Sequence, residues 1–145
     1  HGIAQIMGYG SYVAGIAEVS VSPDGVLKIH KITAATNPGH AVNPAQIERQ
    51  VAGSFAYGLS AALYGEITVK DGAVEQTNFD SYNMLRMDEM PKVETALVPT
   101  HDFWGGVGEP TIAVAAPSVL NAIAKATGKR VRNLPLMHHE LKKGA

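Results

Sequence analysis

The first part of the chain shows a hydrophobic pattern that is typical of a β-hairpin. Residues 11–21 are rich in β-branched and apolar side chains, which predicts a strand. Apolar residues occur at odd and even positions of this run, so we expect burial on both of its faces. The turn sequence of residues 22–25, Ser-Pro-Asp-Gly, follows, and a second strand over residues 26–35 would close the hairpin. Residues 1–9 are too short and mixed to assign.

A helical spacing of apolar residues begins after residue 43. Asn43 is a suitable cap and Pro44 suits the first helical position, where its missing N–H costs nothing. The apolar positions that follow at intervals of three and four are Ile47, Val51, Phe55, Leu59, Ala62 and Leu63. Gly53 and Gly58 lie inside this helix and indicate close packing against another backbone, and Gly65 is expected to end it.

The middle and the end of the chain predict shorter elements. A hairpin is expected over residues 66–79, with its turn at Lys70-Asp71-Gly72. Residues 80–91 are long and irregular, which is more typical of a lid or an interface. A strand is predicted over residues 92–98 and a last short strand over residues 131–136, with a frayed tail over residues 138–145.

The glycine loop, residues 105–110 (Gly-Gly-Val-Gly-Glu-Pro), precedes a second apolar helical run over residues 111–127. Glycines let the main chain approach another group closely, and Pro110 suits the first position of the helix. Gly128 is a good C-cap, whereas Pro117 predicts a kink or a second helix start. Glu109 would then lie at the helix N-terminus, where an acid commonly serves only to cap the helix.

Taken together, these elements predict an α+β fold, in which β-hairpins and a mixed sheet pack against two main helices. The chain has 145 residues, 46% of them apolar and 17% charged, which suits a single domain. The net charge of −1 gives no reason to expect a nucleic-acid partner. No apolar run approaches the roughly 18 residues that span a bilayer. The chain opens at His1, so we expect it to be part of a longer or processed polypeptide.

Few side chains are candidates for chemistry. There are no cysteines, which excludes thiolate nucleophiles and cysteine-held metals within the chain. The six histidines show no metal-ligand spacing, and no nucleophile elbow, P-loop or dinucleotide fingerprint is present. Glu109 remains: in an apolar, glycine-lined pocket, desolvation would raise its pKa and the helix N-terminus would lower it. A glutamate whose pKa is brought toward neutral is suited to act as a general base.

Several motifs carry a family resemblance. Two motifs resemble those of the xanthine dehydrogenase and aldehyde oxidase family of molybdenum hydroxylases. The first is residues 106–110 (Gly-Val-Gly-Glu-Pro) with the helix that follows them. The second is Asn43-Pro44, followed by residues 50–53 (Gln-Val-Ala-Gly) and 57–59 (Tyr-Gly-Leu). Ala52 stands where that pattern usually has Glu. Residues 59–67 and 78–82 are similar to the branch that contains isoquinoline 1-oxidoreductase, nicotinate dehydrogenase and related aldehyde dehydrogenases. The resemblance covers nearly all of residues 10–136.

The resemblance implies that residues 1–145 form the C-terminal segment of a molybdopterin-binding catalytic domain. Glu109 would be the general base of a hydroxylation that uses water-derived oxygen. Gln50 would hydrogen-bond the pterin, and Gly106, Val107 and Gly108 would lie against the cofactor, with no metal ligand in this chain. Phe103 and Trp104 are candidates for the substrate pocket, although ordinary packing explains them equally well.

The same resemblance implies molybdenum held by molybdopterin, commonly as the cytosine dinucleotide, and 2Fe-2S clusters in a small partner subunit. The other implied partners are the remainder of the large subunit, an N-heterocyclic or aldehyde substrate, and a cytochrome c among the electron acceptors. The isolated segment is expected to be inactive. Two alternatives stay open, a non-catalytic assembly or binding segment and an unrelated α+β enzyme in which Glu109 acts on water directly. The substrate, acceptor and compartment are not determined by the sequence.

Overall fold

The computed structural model of the chain describes residues 1–143 and confirms the α+β class. Within these residues the strands and helices occur in the following order: β1 (Gly2–Gly8), β2 (Ser11–Val21), β3 (Leu27–Asn37), α1 (Pro44–Tyr64), β4 (Val69–Lys70), β5 (Ala73–Val74), β6 (Lys92–Leu97), α2 (Ile112–Thr127) and a 3-10 helix (Leu136–His138). Both predicted helices and the strands at residues 11–21 and 92–98 are confirmed. No helix in the described part of the chain is long and apolar enough to cross a bilayer.

The main sheet is mixed and has the strand order β1-β2-β3-β6. β1, β2 and β3 form an antiparallel meander, and β6 returns to pair with β3 in the parallel direction. β1 had no counterpart in the sequence analysis. The hairpin predicted over residues 66–79 is reduced to the two-residue strands β4 and β5 around Gly72, whose φ of +80° suits a glycine turn.

One face of the main sheet is buried against the helices, and the other face is exposed. On β2, Val13 and Ala17 are buried at 3% and 0% exposure, whereas Tyr12 and Ile16 are 52% and 40% exposed. The prediction of burial on both faces is therefore wrong for the described residues, because α1 and α2 both contact the same side of the sheet. The outer face ends in a charged cluster, in which Glu94 accepts hydrogen bonds from two lysines, and these bonds lower the pKa of Glu94 to about 2.

Helix α1 begins and ends as predicted. The Asn43 Oδ1 accepts a hydrogen bond from the N–H of Gln46 at 3.2 Å, Pro44 occupies the first position, and Gly65 follows the last turn. Gly58 allows α2 to approach closely, since a Cβ there would lie 2.6 Å from the Cβ of Ala115. Gly53 has no such neighbour within 4 Å, so the close packing predicted for it is wrong.

Helix α2 begins at Ile112 rather than at Pro110. Thr111 is the N-cap residue, without a side-chain capping bond, and Pro110 is buried one residue earlier. Pro117 lies inside a helix that continues to Thr127, so no second helix start occurs. Gly128, with φ of +78°, ends the helix as predicted.

The core lies between the inner face of the sheet and the two helices. Its largest fully buried side chains include Phe55, Ile32, Leu59 and Ile123. Residues 131–136 form no strand. Leu136 and Leu141 are only 4% and 5% exposed and belong to the core. The frayed tail predicted from residue 138 is therefore wrong at Leu141. Residues 144–145 of that predicted tail lie outside the described residues.

The segment 80–91 is irregular, as predicted, and is fixed to α1 at two points. The backbone N–H of Leu85 donates to the Ser60 Oγ at 3.1 Å. The hydroxyl of Tyr64 donates to the carboxylate of Glu89, which also accepts from the N–H of Arg86. Burial, and next the hydrogen bond to Glu89, raise the pKa of Tyr64 to about 12.

Candidate functional site

The glycine loop is held on one side by the turn between β1 and β2. A Cβ on Gly105 would lie 2.2 Å from the Ser11 Oγ and 2.6 Å from the carbonyl oxygen of Gly10, so only glycine fits there. The N–H of Gly106 donates to the carbonyl of Tyr9 at 2.8 Å, and its carbonyl accepts from the Ser11 Oγ at 2.6 Å. These two glycines therefore permit close approach, as predicted, but the group they approach belongs to this chain.

The turn that follows β3 holds the other side of the loop. The N–H of Gly105 donates to the carbonyl of Pro38 at 2.8 Å, and the N–H of His101 donates to the carbonyl of Gly39 at 2.7 Å. Gly39 has φ of +76°, and a Cβ on it would lie 2.1 Å from the carbonyl oxygen of Phe103. The two turns together fix the main chain just ahead of Glu109.

The end of the loop nearest Glu109 contacts α1 through Ser54, and the space beside Gly108 is open. The Ser54 Oγ, on a residue only 3% exposed, donates to the carbonyl of Gly108 at 3.3 Å. No atom lies within 4 Å of the place that a Cβ on Gly108 would take. Within residues 1–143, the backbone N–H groups of Val107, Gly108 and Glu109 have no hydrogen-bond acceptor. These three donors of the loop are therefore unused within the described residues.

Two neighbouring cavities flank Gln50 along α1. The first, which we name the Glu109 cavity, measures about 330 Å³ and is lined by Gln50, Gly53, Ser54, Tyr57, Gly108, Glu109 and Ile112. The second, the Trp104 cavity, measures about 290 Å³ and is lined by His40, Val42, Asn43, Gln46, Ile47, Gln50, Trp104, Gly105 and Val107. Gln50 lines both, so this residue lies at the boundary between them.

The structure brings most of the predicted site residues together. Gln50, Gly108 and Glu109 share the Glu109 cavity, and Val107 joins Gln50 in the Trp104 cavity. Gly106 lines neither cavity. Glu109 is exposed, whereas the sequence analysis expected an apolar and enclosed surrounding. Within the described residues, the cavity beside Glu109 is lined by α1, the loop and Ile112 of α2.

The two aromatic residues ahead of the loop separate. Trp104 is 75% exposed and lines the Trp104 cavity, with its ring centroid 4.2 Å from that of His40. Phe103 instead packs edge-on against Tyr12, with ring centroids 6.0 Å apart. Of the two candidates for the substrate pocket, only Trp104 therefore lies beside the predicted site residues.

Sequence reasoning missed three residues that border these cavities. Ser54 and Tyr57 follow Gln50 by four and seven positions, a spacing that places all three on one face of α1. That spacing was present in the sequence, but it does not show which face of α1 turns toward the loop. His40 gave no such signal, because it reaches the site through the turn after β3.

Other features of the described chain do not compete with this site. No group of three His, Asp or Glu side chains within residues 1–143 is placed to hold a metal ion. A larger cavity of about 490 Å³ lies on the outer face of the sheet, between residues of β1, β2 and β3, and no predicted site residue lines it.

The sequence and the fold both match known proteins. Residues 2–91 match the molybdopterin cofactor-binding domain family. The chain is 32% identical over 127 residues to isoquinoline 1-oxidoreductase subunit beta of Brevundimonas diminuta, covering 87% of this chain and 16% of that protein. It is 33% identical over 128 residues to the putative xanthine dehydrogenase molybdenum-binding subunit XdhA of Escherichia coli K12, covering 83% and 16%.

Solved structures agree with the sequence matches. The aldehyde oxidoreductase of Desulfovibrio desulfuricans superposes with a TM-score of 0.73 at 25% identity, covering 86% of this chain and 14% of that one. The aldehyde oxidoreductase of Desulfovibrio gigas gives a TM-score of 0.76 at 23% identity, covering 92% and 16%, and shows the shared fold alone. The chain spans about a sixth of the length of the curated relatives it matches.

Proposed function

The chain belongs to the molybdopterin cofactor-binding domain family of the xanthine dehydrogenase and aldehyde oxidase type, and from that premise we propose that it serves a molybdenum hydroxylase with Glu109 as general base. Residues 1–145 would be the C-terminal segment of the catalytic domain in a large subunit. One observation carries the proposal: Gln50 of α1 is remote in sequence from Gly108 and Glu109 of the loop, yet all three residues line a single cavity.

The residues around the cavity fit a molybdopterin cofactor. The N–H groups of Val107, Gly108 and Glu109 have no acceptor within residues 1–143, and such groups suit an electron-rich oxygen or sulfur ligand. The amide of Gln50 offers both a donor and an acceptor to a pterin. We therefore assign cofactor contacts to Gln50, Val107 and Gly108. Gly106, through its bonds to Tyr9 and Ser11, would hold the loop in place for them.

The chain's own contribution to the reaction would be proton transfer at the carboxylate of Glu109. When bound, the molybdenum cofactor supplies the acceptor for the two electrons that leave the substrate. Glu109 takes the proton of the water-derived oxygen that the substrate gains, as a general base does when its carboxylate lies within hydrogen-bond reach. Its main chain is fixed for this purpose, because its carbonyl accepts from the N–H of Ile112 at 3.0 Å and Ser54 holds the carbonyl of Gly108.

We base the proposed substrate class and the proposed partner subunits on the names of the relatives. An N-heteroaromatic carbon or an aldehyde is supported by the isoquinoline oxidoreductase and the aldehyde oxidoreductases. The word subunit in the sequence relatives' names supports a multi-subunit enzyme. We include in the proposal a cytosine dinucleotide form of the cofactor, 2Fe-2S clusters in a small partner subunit, and a cytochrome c as electron acceptor.

The test is Glu109→Gln in the holoenzyme that contains this chain. Glutamine keeps the size of the side chain but cannot take the proton, so we expect kcat to fall by about 10² to 10⁴. Molybdenum and pterin per subunit should stay at the wild-type level. Glu48→Gln is the matched control, because Glu48 is an exposed glutamate of α1 that lines neither cavity.

The two measurements separate the competing functions. Full turnover in Glu109→Gln with the cofactor retained would refute the general base and favour the alternative of a non-catalytic assembly segment. A wild-type subunit without molybdopterin would refute the cofactor assignment, and activity in that subunit would favour an unrelated enzyme in which Glu109 acts on water.

A further inference from the structure

Strand β1 is an edge of the main sheet, and in the described part of the chain only β2 pairs with it. The two strands are joined by the two-residue turn Tyr9-Gly10, whose φ angles are +55° and +74°. In a hairpin with such a turn, the residues that flank the turn exchange hydrogen bonds, and every second residue does so from there on. Ile3, Gln5 and Met7 therefore direct their N–H and C=O groups away from β2.

Helix α2 already covers one end of this free edge. The carbonyl of Ile3 accepts a hydrogen bond from the side-chain amide of Asn121 at 2.9 Å, as expected for a group that points away from β2. The outward N–H and C=O groups of Gln5 and Met7 have no hydrogen-bond partner within residues 1–143. These two residues, which we name the β1 edge, therefore offer two donors and two acceptors to a further strand.

The side chains around the β1 edge are apolar and exposed. Ile3 and Met7 are 59% and 62% exposed, and their partners in the register of β2 are the exposed Ile16 and Tyr12 on the same outer face. Met7 and Tyr12 also line the cavity of about 490 Å³ on this face. Residues 2–8 contain no charged residue and no proline, which are features that protect a free edge in natural sheets.

The opposite edge of the sheet, strand β6, does carry such protection. Glu94 of β6 forms ion pairs with Lys92 of the same strand at 2.8 Å and with Lys31 of β3 at 2.6 Å. Charged side chains of this kind discourage the pairing of a further strand. The difference between the two edges indicates that β1, and not β6, is the edge at which another strand is added.

We propose that the β1 edge and the apolar outer face beside it bind an extended segment from the remainder of the large subunit, which adds to the sheet as a strand. The inference rests on the proposal that this chain is one segment of such a subunit, and it does not depend on the role of Glu109. Length identifies the occupant, because the chain spans only 16% of isoquinoline 1-oxidoreductase subunit beta and of XdhA. A segment of the same polypeptide has a high effective concentration, so a short edge suffices to hold it. A second copy of the chain would lack this advantage.

The test places the photoreactive residue p-benzoylphenylalanine at Met7 in the full-length subunit of the holoenzyme. The matched control carries the same residue at Val69, which is 66% exposed on the short strand β4 and lies outside the outer face of the main sheet. After irradiation, mass spectrometry of the digested subunit identifies the crosslinked residues. We expect position 7 to crosslink to residues of the same polypeptide that lie outside this chain, and position 69 not to crosslink to those residues.

A second pair of variants tests whether the segment pairs through the main chain. Gln5→Pro removes an outward N–H, which a free edge tolerates because that group would face solvent. If a strand is paired there, the loss of one hydrogen bond and the proline ring should lower the yield of the crosslink from position 7 by about 10-fold. Gln5→Ala keeps the N–H and should leave the yield unchanged. A yield that is the same in both variants would overturn strand pairing.

The remaining outcomes also decide the matter. A crosslink from position 7 to a second copy or to another polypeptide overturns the assigned occupant, and the absence of any crosslink overturns the docking surface. Either result with normal turnover and normal molybdenum content leaves the proposed function standing. A native enzyme that lacks molybdopterin overturns the proposed function, whatever position 7 contacts.

Discussion

Replacing Gly105 by alanine tests whether the glycine loop is fixed by the chain's own turns. The added Cβ would lie 2.2 Å from the Ser11 Oγ, 2.6 Å from the carbonyl oxygen of Gly10 and 2.9 Å from its carbonyl carbon. Two of these three atoms are backbone, so no change of rotamer relieves the contact. The third atom is the hydroxyl that donates to the carbonyl of Gly106 at 2.6 Å.

The cost of Gly105→Ala has two parts. Forcing a methyl group into a filled site typically costs about 1–3 kcal/mol. Ser11 is 0% exposed, so its displaced hydroxyl loses its partner without gaining water. Leaving such a buried group without a partner costs about 1–3 kcal/mol. Since the two effects share the same movement, we expect a loss of roughly 2–5 kcal/mol in the free energy of unfolding.

The assay is urea unfolding of wild type, Gly105→Ala and Gly108→Ala under identical conditions. Gly108→Ala is the matched control, because it is the same substitution three residues along the same loop, with no atom within 4 Å of the new Cβ. We expect the control to change stability by no more than about 0.5 kcal/mol. A Gly105→Ala variant that unfolds together with this control would refute the claim that the turn between β1 and β2 fixes the loop.

Two further predictions concern α1. Gly53→Ala should stabilise the chain by about 0.5–1 kcal/mol in thermal unfolding. The helix interior favours alanine, and nothing lies within 4 Å of the new Cβ. A lower Tm would contradict the open surroundings of Gly53. Tyr64→Phe should speed amide hydrogen exchange in residues 85–90 by removing the bond to Glu89. The raised pKa of Tyr64, about 12 against the ordinary 10.0, means that its contribution is complete below pH 10 and is lost between pH 10 and 12. Wild-type stability should therefore fall more steeply in that window than that of Tyr64→Phe, and parallel curves would argue against the contact.

The elements that the sequence predicted well are those with local signals. α1 is bounded by an asparagine-proline start and a glycine end, and both ends lie where those residues indicate. The irregular segment 80–91 likewise follows from its own composition. For the start of α1, the deciding interaction is between residues close in sequence, the Asn43 side chain and the N–H of Gln46.

The elements that were missed depend on contacts remote in sequence. β1 begins at Gly2, where a Cβ would lie 2.1 Å from the backbone nitrogen of Ala122, so the glycine is required by α2 and not by a turn. From the sequence, Leu136 was assigned to the end of a strand and Leu141 to a frayed tail. They are buried because the chain end returns to the core, which no local pattern encodes.

Glu109 and Gln50 could be named as site residues from the sequence, but the way they meet in space could not be predicted. Glu109 was singled out by the glycine loop, while Gln50 was included through the family resemblance alone. Their meeting at one cavity is a property of how α1 packs beside the loop. Tyr57 was missed although its spacing from Gln50 was visible, because nothing in the sequence indicates which face of α1 turns toward the loop.

The glycines of the loop divide between two roles, and this division affects how variants of the loop are interpreted. Gly105 and Gly106 face the turn between β1 and β2, whereas Gly108 faces open space beside Glu109. Loss of activity in a Gly105 variant would therefore follow from a displaced loop, and loss in a Gly108 variant from altered contact with the ligand. Activity alone cannot separate these causes, because both substitutions would alter the proposed site. Stability separates them, since only the first substitution forces atoms of this chain together.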